Sequence, residues 1–280
     1  MSIPPTIALI TDFGTVDPYA GILRGVLCGI APQAQVIDIT HSIPAGDIRR
    51  GALTLWEAQP FFPDQTIFLV VVDPSVGSSR KPMVCRFPNF DVICPDNGLL
   101  TFLMQRYENW GARAISNRRY FPSETSGTFH GRDIFAPAAA HLARGAEFTD
   151  FGEILADPIR LELPRLVGNG ETGWEGETLY ADAFGNVITS IGRISFDRKT
   201  FKPWTHSGAK GGTLTSDALV LLSDGMKIPF APSYAEGQVQ HTLFGLVGSA
   251  GLLEIASWRA RASNAPALQI GSSIRLIPGA

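Results

Sequence analysis

The sequence predicts an α/β protein whose last hundred or so residues turn all-β, on two patterns and the break between them. Residues 1–150 alternate short apolar runs with amphipathic stretches, the mark of strands and helices in layers. Residues 177–280 carry short strand-like runs divided by turn residues, which suits a small antiparallel barrel or sandwich. Between them, residues 151–176 are rich in Gly, Pro and acids and read as a linker.

The elements follow in order. "TIALITDFG" is a buried parallel strand meeting a loop at Asp12. In "DPYAGILRGVLCGI", Asp17 suits an N-cap and Pro18 a first helical turn, and Tyr19, Ile22, Leu23, Val26, Leu27 and Ile30 share a face. "QVIDITH" is a second strand, and "DIRRGALTLWEAQPFF" a helix capped by Asp47. "TIFLVVVDP" is continuously apolar, so both its faces are covered. "PMVCRF" and "DVICPD" read as further strands, "NGLLTFLMQRYEN" and "IFAPAAAHLARG" as helices, the last closed by Gly145. The result is a layered, Rossmann-like α/β domain. Ligands in such sheets bind at the carboxyl ends of strands, where Asp12, Asp73 and Asp96 stand. "GNGETG" matches G-x-G-x-x-G at Gly168, Gly170 and Gly173 but lacks a clean strand before it and a helix after it, so it reads as a loop.

Composition narrows the class. A chain of 280 residues, 45% hydrophobic and 18% charged, has ample core material for one large domain or two ordinary ones. A net charge of −3 without a basic block gives no electrostatic footprint for nucleic acid. Cys28, Cys85 and Cys94 lack C-x-x-C spacing and read as reduced core residues. No charged leader opens the chain, and no apolar run reaches the ~18 residues of a membrane span. The expectation is a soluble, cytoplasmic protein.

The letters D-F-G at Asp12 invite a protein-kinase reading, which fails on order. A kinase places its glycine-rich loop and catalytic loop before D-F-G, whereas only eleven residues precede Asp12. Four polar stretches remain: Asp12 with Asp17; Asp73 with Arg80; Ser126, His130, Arg132 and Asp133; and Asp182 with Asn186. Each has a bland alternative. Asp17 and Asp133 suit helix caps. Asp73 before Pro74 either opens a turn or serves a site. His130, ahead of a helix, is either structural or faces an anion. His41, His141, His206 and His241 form no recognisable metal spacing, and neither a phosphate-binding G-K-[ST] nor a G-x-S-x-G elbow occurs.

Taken together, "LITDFG…DPYAGILRG", "VIDITHSIPAGDIRRGA", "VVVDPSVGSSR", "PDNGLL", "TFHGRDIFAPAAAHLARG", "DAFGNVITSIG" and "GSAGLLEIA", in this order, resemble the S-adenosyl-L-methionine hydroxide adenosyltransferases. That family is related to the bacterial fluorinase and chlorinase. The resemblance implies an α/β domain, a C-terminal β-barrel domain, and a homotrimer with active sites between subunits. It implies cleavage of S-adenosyl-L-methionine by water to adenosine and L-methionine, with no cofactor, metal, nucleic-acid or membrane partner. It maps the residues around the water onto Asp73, Arg80 and His130. Asp73 and His130 are expected to orient the water and accept its proton, Arg80 to favour the ionised forms. Asp12 is expected on the ribose hydroxyls, Asp182 on the methionine ammonium, Asn186 on the adenine edge, Phe184 beside the base and Ser249 on the methionine carboxylate. The halogenases carry aromatic residues where this chain has Asp73 and His130, which favours hydrolysis over halide transfer. The other alternative is a non-catalytic sensor of adenosine or of the sulfonium substrate. Two departures stand open: Ala250 replaces a fluorinase arginine, and Ser190 replaces an asparagine.

Overall fold

Six consecutive buried residues open the first sheet, strand β1 (Thr6–Thr11) of the computed structural model. The structure describes residues 4–205, 208–215, 217–238 and 242–279, the side chain of Gln238 left aside; His206 and His241 lie outside this set. The chain divides into two units, Met1–Leu161 and Glu162–Ala280.

In the first unit β1 leads through α1 (Tyr19–Ile30) to β2 (Gln35–Thr40), then through α2 (Ile48–Ala58) to β3 (Ile67–Val71). Next come β4 (Pro82–Arg86), β5 (Asp91–Pro95), α3 (Thr101–Arg106) and β6 (Gly111–Ala114). A π-helical turn, Gly131–Phe135, runs directly into α4 (Ala136–Ala143). The sheet order is β2-β1-β3-β5-β4-β6. Strands β1, β2, β3 and β5 pair in parallel, and β4 runs antiparallel between β5 and β6. The chain therefore switches direction across the sheet between β1 and β3, and a crevice at their carboxyl ends follows from that topology.

Side-chain size sets how the helices lie on the sheet. Ala136, Ala138, Ala139 and Ala140 are buried, so α4 packs close and meets Leu23 and Leu27 of α1 above Ile7, Leu9, Leu69 and Val71. Each fully buried leucine contributes about 1.5–3 kcal/mol of transfer free energy. On α2, Gly51 marks another close approach: a Cβ there would lie 2.9 Å from Leu99 and 3.0 Å from Val72. Asp47 caps α2 as expected, accepting from Arg50 N at 2.9 Å. Asp17 does not cap α1. Pro18 takes the N-cap position without a side-chain bond, and Asp17 stands one residue too early to serve it. Asp133 is no cap either; it lies inside the π-turn and accepts from Ser126 N at 2.7 Å. Cys28 is exposed on α1, unlike buried Cys85 and Cys94, because it falls off the Leu23–Leu27 stripe.

The second unit opens with β7 (Leu166–Asn169) and β8 (Gly173–Ala181), followed by β9 (Val187–Gly192), a two-residue ladder β10 (Thr200–Phe201) and β11 (Gly212–Thr213), β12 (Leu219–Leu221) and β13 (Lys227–Pro229). The short helix α5 (Tyr234–Gln238), in a stretch expected as strand, precedes β14 (Leu243–Val247), β15 (Leu252–Ser257) and β16 (Ser273–Ile277). The path β13-β12-β16-β8-β9-β15-β14 is antiparallel throughout, with β7 on β8. A bridge between Phe230 and Gly245 brings its two ends together, so the sheet is a nearly closed barrel. Trp174, fully buried, stacks on Phe201 at 4.3 Å and donates from Nε1 to Lys210 O at 2.8 Å.

Strand pairing reaches into the stretch expected as a linker, since β7 and the start of β8 fall within residues 151–176. "GNGETG" is their hairpin: Gly168 pairs with Trp174, and Asn169 Oδ1 accepts from Glu171 N and Thr172 N. A Cβ on Gly168 would meet Gly173 O at 2.1 Å, so these glycines answer to strand proximity and not to a phosphate. Ser190 also has a local cause. Fully buried, it donates to Arg165 O and accepts from Glu177 N at 2.8 Å, tying β9 to its neighbours.

Candidate active site

Just past β3 the chain turns at Asp73-Pro74, where Val76 N donates to Asp73 O, and runs on to Arg80. Gly77 lets this loop press against the segment before His130: φ is +80° and a Cβ would lie 2.4 Å from Gly127 O. A residue with a side chain fits neither demand. The π-turn begins at the next stretch, with His130 at its N-cap position; such single-turn bulges frequently mark functional sites.

Arg80 joins the two. Its Nε donates to Asp73 Oδ1 at 3.0 Å, its Nη2 to Asp73 Oδ2, and the same Nη2 to His130 Nδ1 at 2.7 Å. Both partners of the ion pair are 5% exposed, and the guanidinium lies 5.1 Å from the Phe135 ring. The contact is charged, bidentate and largely shielded from bulk solvent, the geometry in which such a pair is strongest. Arg80 Nη1 is buried without a hydrogen-bond partner among the described residues. A guanidinium only donates, so Nδ1 of His130 must accept, and the neutral ring carries its proton on Nε2. Burial and then the positive charge of Arg80 hold His130 below its ordinary value, against a weaker opposite pull from Asp73 and Asp133.

Asp12 reaches the same place from β1. Its Oδ2 accepts from Gly46 N at 2.8 Å, which orients the carboxylate. Beneath it, buried His41 bonds Thr11 Oγ1 at 2.8 Å, and Gly14 N donates to His41 O, holding the turn. Asp12, Asp73 and His130 line one cavity of about 60 Å³ with Phe13, Val71, Val76, Thr128, Phe129 and Gly131. Phe13, Tyr19 and Phe129 meet edge to face at 5.3–6.1 Å beside it. A wider hollow of about 440 Å³ lies at the other end of the sheet, by Pro5, Gln65 and Asp91, away from the crevice that the topology creates. Asp96 belongs to neither; it accepts from Ile159 N at 2.8 Å and holds a loop.

In the second unit Asp182, Phe184 and Asn186 share the β8–β9 turn. Asp182 Oδ1 accepts from Phe184 N and Asn186 N, both at 2.9 Å, and Oδ2 from Asn186 Nδ2 at 3.0 Å. Phe184 is 81% exposed. Ser249 is exposed in the turn between β14 and β15, next to Gly248. Two further residues join this group. Asn186 Nδ2 also donates to Tyr234 OH at 3.2 Å, and that hydroxyl donates to Glu254 Oε1. Glu254 is buried, and a Cβ on Gly248 would lie 2.7 Å from its Oε2. The signal for Glu254 stood in the sequence: an acid in the midst of "LLEIA", on a strand otherwise apolar.

Family models decide the relationship. The N-terminal domain of the SAM hydroxide adenosyltransferases matches residues 7–152, and the C-terminal domain of the same family matches residues 176–275. The chain belongs to the SAM hydroxide adenosyltransferase family. Among its relatives, the (R)-S-adenosyl-L-methionine hydrolase of Thermus thermophilus is 34% identical over 96% of this chain and 98% of its own. The hydrolase of that name from Salinispora tropica is 41% identical over 67% of this chain and 72% of its own. A fluorinase from Actinoplanes stands further off, at 26%. The crystal structure of an uncharacterized conserved protein from Thermotoga maritima superimposes with a TM-score of 0.81 at 34% identity, covering 96% of this chain and 99% of that one. In this hydroxide adenosyltransferase, Asp12, Asp73, Arg80 and His130 come together in the first unit, and Asp182, Phe184, Asn186 and Ser249 lie in the second. No group of three or more His, Cys, Asp or Glu among the described residues is placed to hold a metal ion, and no described helix is long and apolar enough to cross a membrane.

Proposed function

We propose that this chain hydrolyses S-adenosyl-L-methionine to adenosine and L-methionine by in-line attack of water on the ribose 5′ carbon. The observation that carries this reading is Arg80, buried, holding Asp73 and His130 side by side at the carboxyl end of β3 next to Asp12. Water forms the new C–O bond, methionine leaves with the C–S electrons as a neutral thioether, and one proton is released. Because the leaving group is neutral on departure, no general acid is needed. The task is to hold a water in line and exclude others, and such positioning supplies up to ~7–11 kcal/mol in favourable cases.

Asp73 is the proton acceptor. Arg80 donates to both of its oxygens and Ser75 Oγ donates to Oδ1 at 3.4 Å, so the remaining lone pair of Oδ2 is left for the water. His130 acts otherwise than its residue type suggests: with Nδ1 facing Arg80, its Nε2–H donates to the water oxygen and aims it. The unpartnered Arg80 Nη1 is a buried donor of the kind that water or substrate ordinarily satisfies. Asp12 takes the ribose diol in two charge-assisted bonds. Asp182 meets the methionine ammonium, Asn186 the adenine edge, Phe184 the base and Ser249 the methionine carboxylate.

The first-unit cavity, about 60 Å³, is far below the ~300–1,000 Å³ of ordinary small-molecule pockets, so it suits the water and not the whole substrate. From the family resemblance we take the protein to be a cytoplasmic homotrimer without a cofactor, in which the 182–186 turn and Ser249 of a neighbouring subunit complete each site. The test is chromatography of S-adenosyl-L-methionine incubated with the protein, with and without chloride, against Asp73→Ala. We expect equal adenosine and methionine, independent of halide, and a loss of at least ~10²-fold in the variant. A 5′-chloro nucleoside would move the chain to the halide transferases, and adenosine binding without turnover would make it a sensor.

A further inference from the structure

We infer that Tyr234 and Glu254 are positioning residues that lock the Asn186 amide with its oxygen as the only group on offer, making the site selective for 6-aminopurines over 6-oxopurines. The argument is one of donors and acceptors. The Asp182 carboxylate cannot donate, so the Asn186 atom 3.0 Å from Oδ2 is the nitrogen. That nitrogen has two hydrogens. One goes to Asp182, and the other to the Tyr234 hydroxyl at 3.2 Å. The hydroxyl can accept it because its own hydrogen is committed to Glu254 Oε1. Burial and then the bond to Glu254 push the Tyr234 phenol above its ordinary value, so it stays protonated and keeps that direction. Glu254 is itself 8% exposed, at the centre of β15.

The amide therefore has no N–H to spare, and Oδ1 is its remaining polar atom. An acceptor alone recognises the exocyclic amino group of a purine and repels the 6-oxo group, which presents a second acceptor at the same point. A site built around one hydrogen bond rejects the wrong partner far more strongly than a merely apolar pocket does. Without the Tyr234 hydroxyl the amide keeps its bond to Asp182 but has one uncommitted N–H beside its oxygen, a donor that a 6-oxo group can use, and the preference would weaken. This rests on the placement of Asn186 at the purine edge proposed above.

Calorimetric titration of the protein with adenosine, purine riboside and inosine tests it without turnover. We expect wild type to bind adenosine tightest, purine riboside more weakly and inosine weakest, with at least a ~10-fold gap between the first and last. Tyr234→Phe removes only the hydroxyl and should narrow that gap several-fold, chiefly by strengthening inosine. Glu254→Gln keeps an acceptor for the phenol and should preserve most of it. A merely structural role would weaken all three ligands alike. Wild type binding inosine as well as adenosine would overturn the inference even if Tyr234→Phe failed to fold, as would an unchanged gap in that variant. Binding of none of the three would overturn the purine placement itself and the inference with it, whereas adenosine binding without the gap would overturn the inference alone.

Discussion

His130 Nδ1 lies 2.7 Å from Arg80 Nη2, so the guanidinium that neutralises Asp73 also decides which nitrogen of the histidine carries the proton. The ring points a donor, not a lone pair, at whatever shares its cavity. His130→Gln can place an amide N–H where Nε2–H stands, whereas His130→Ala cannot. We expect kcat to fall about 10-fold for Gln and ~10²-fold for Ala. Equal losses would remove the donor role.

The same contact sets a pH dependence. Burial and Arg80 hold the folded-state value of His130 below 6.5. Between that value and 6.5 the unfolded chain binds more protons, so this contribution to stability is complete above pH 6.5. It is lost as pH falls through the folded value. Activity carries the same sign, since a protonated Nδ1 opposes Arg80. The kcat/KM profile should be level above pH 6.5 and decline below the folded value, and His130→Gln should lose that decline.

Arg80→Leu leaves the Asp73 carboxylate buried without its partner. Removing one member of a buried pair costs about 3–5 kcal/mol, which urea unfolding would read as a lower midpoint. Replacing Asp73 as well should return part of that loss while activity stays absent. A single variant as stable as wild type would mean that water reaches the pair.

Gly77→Ala asks for a side chain at φ +80° and 2.4 Å from Gly127 O. The loop must move, and Arg80 moves with it. A displacement near 1 Å at such a site costs up to ~10² in rate. We expect a large fall in kcat with a thermal midpoint lowered by only a few degrees. An unimpaired enzyme would show that the loop absorbs the methyl group.

Asp47→Ala serves as the control, because its bond to Arg50 N caps α2 and its side chain does not line the cavity. A stability loss of about 1 kcal/mol with unchanged kcat is expected.

Much of this was legible in the residues. Apolar runs such as Ile67–Val71 announce a strand covered on both faces, and the short runs after residue 177 announce a barrel or sandwich, because burial imposes a period on the side chains. The aspartates ending β1 and β3 mark the carboxyl edge for the same reason. Local signals failed where a short stretch admits two partners. Asp17 looks like a cap, but the helix begins one residue too late for it and Pro18 takes the cap position, and "APSYAE" looks like strand until Tyr234 begins α5.

The sequence by itself determined which elements form, which edge of the sheet carries the polar residues, and the family they resemble. Tertiary structure alone decided that Arg80 and His130, fifty positions apart, share one hydrogen bond, and that Glu254 reaches Asn186 through Tyr234. Hydrogen-bond direction is a property of atoms brought within about 3 Å. Spacing along the chain carries no record of it.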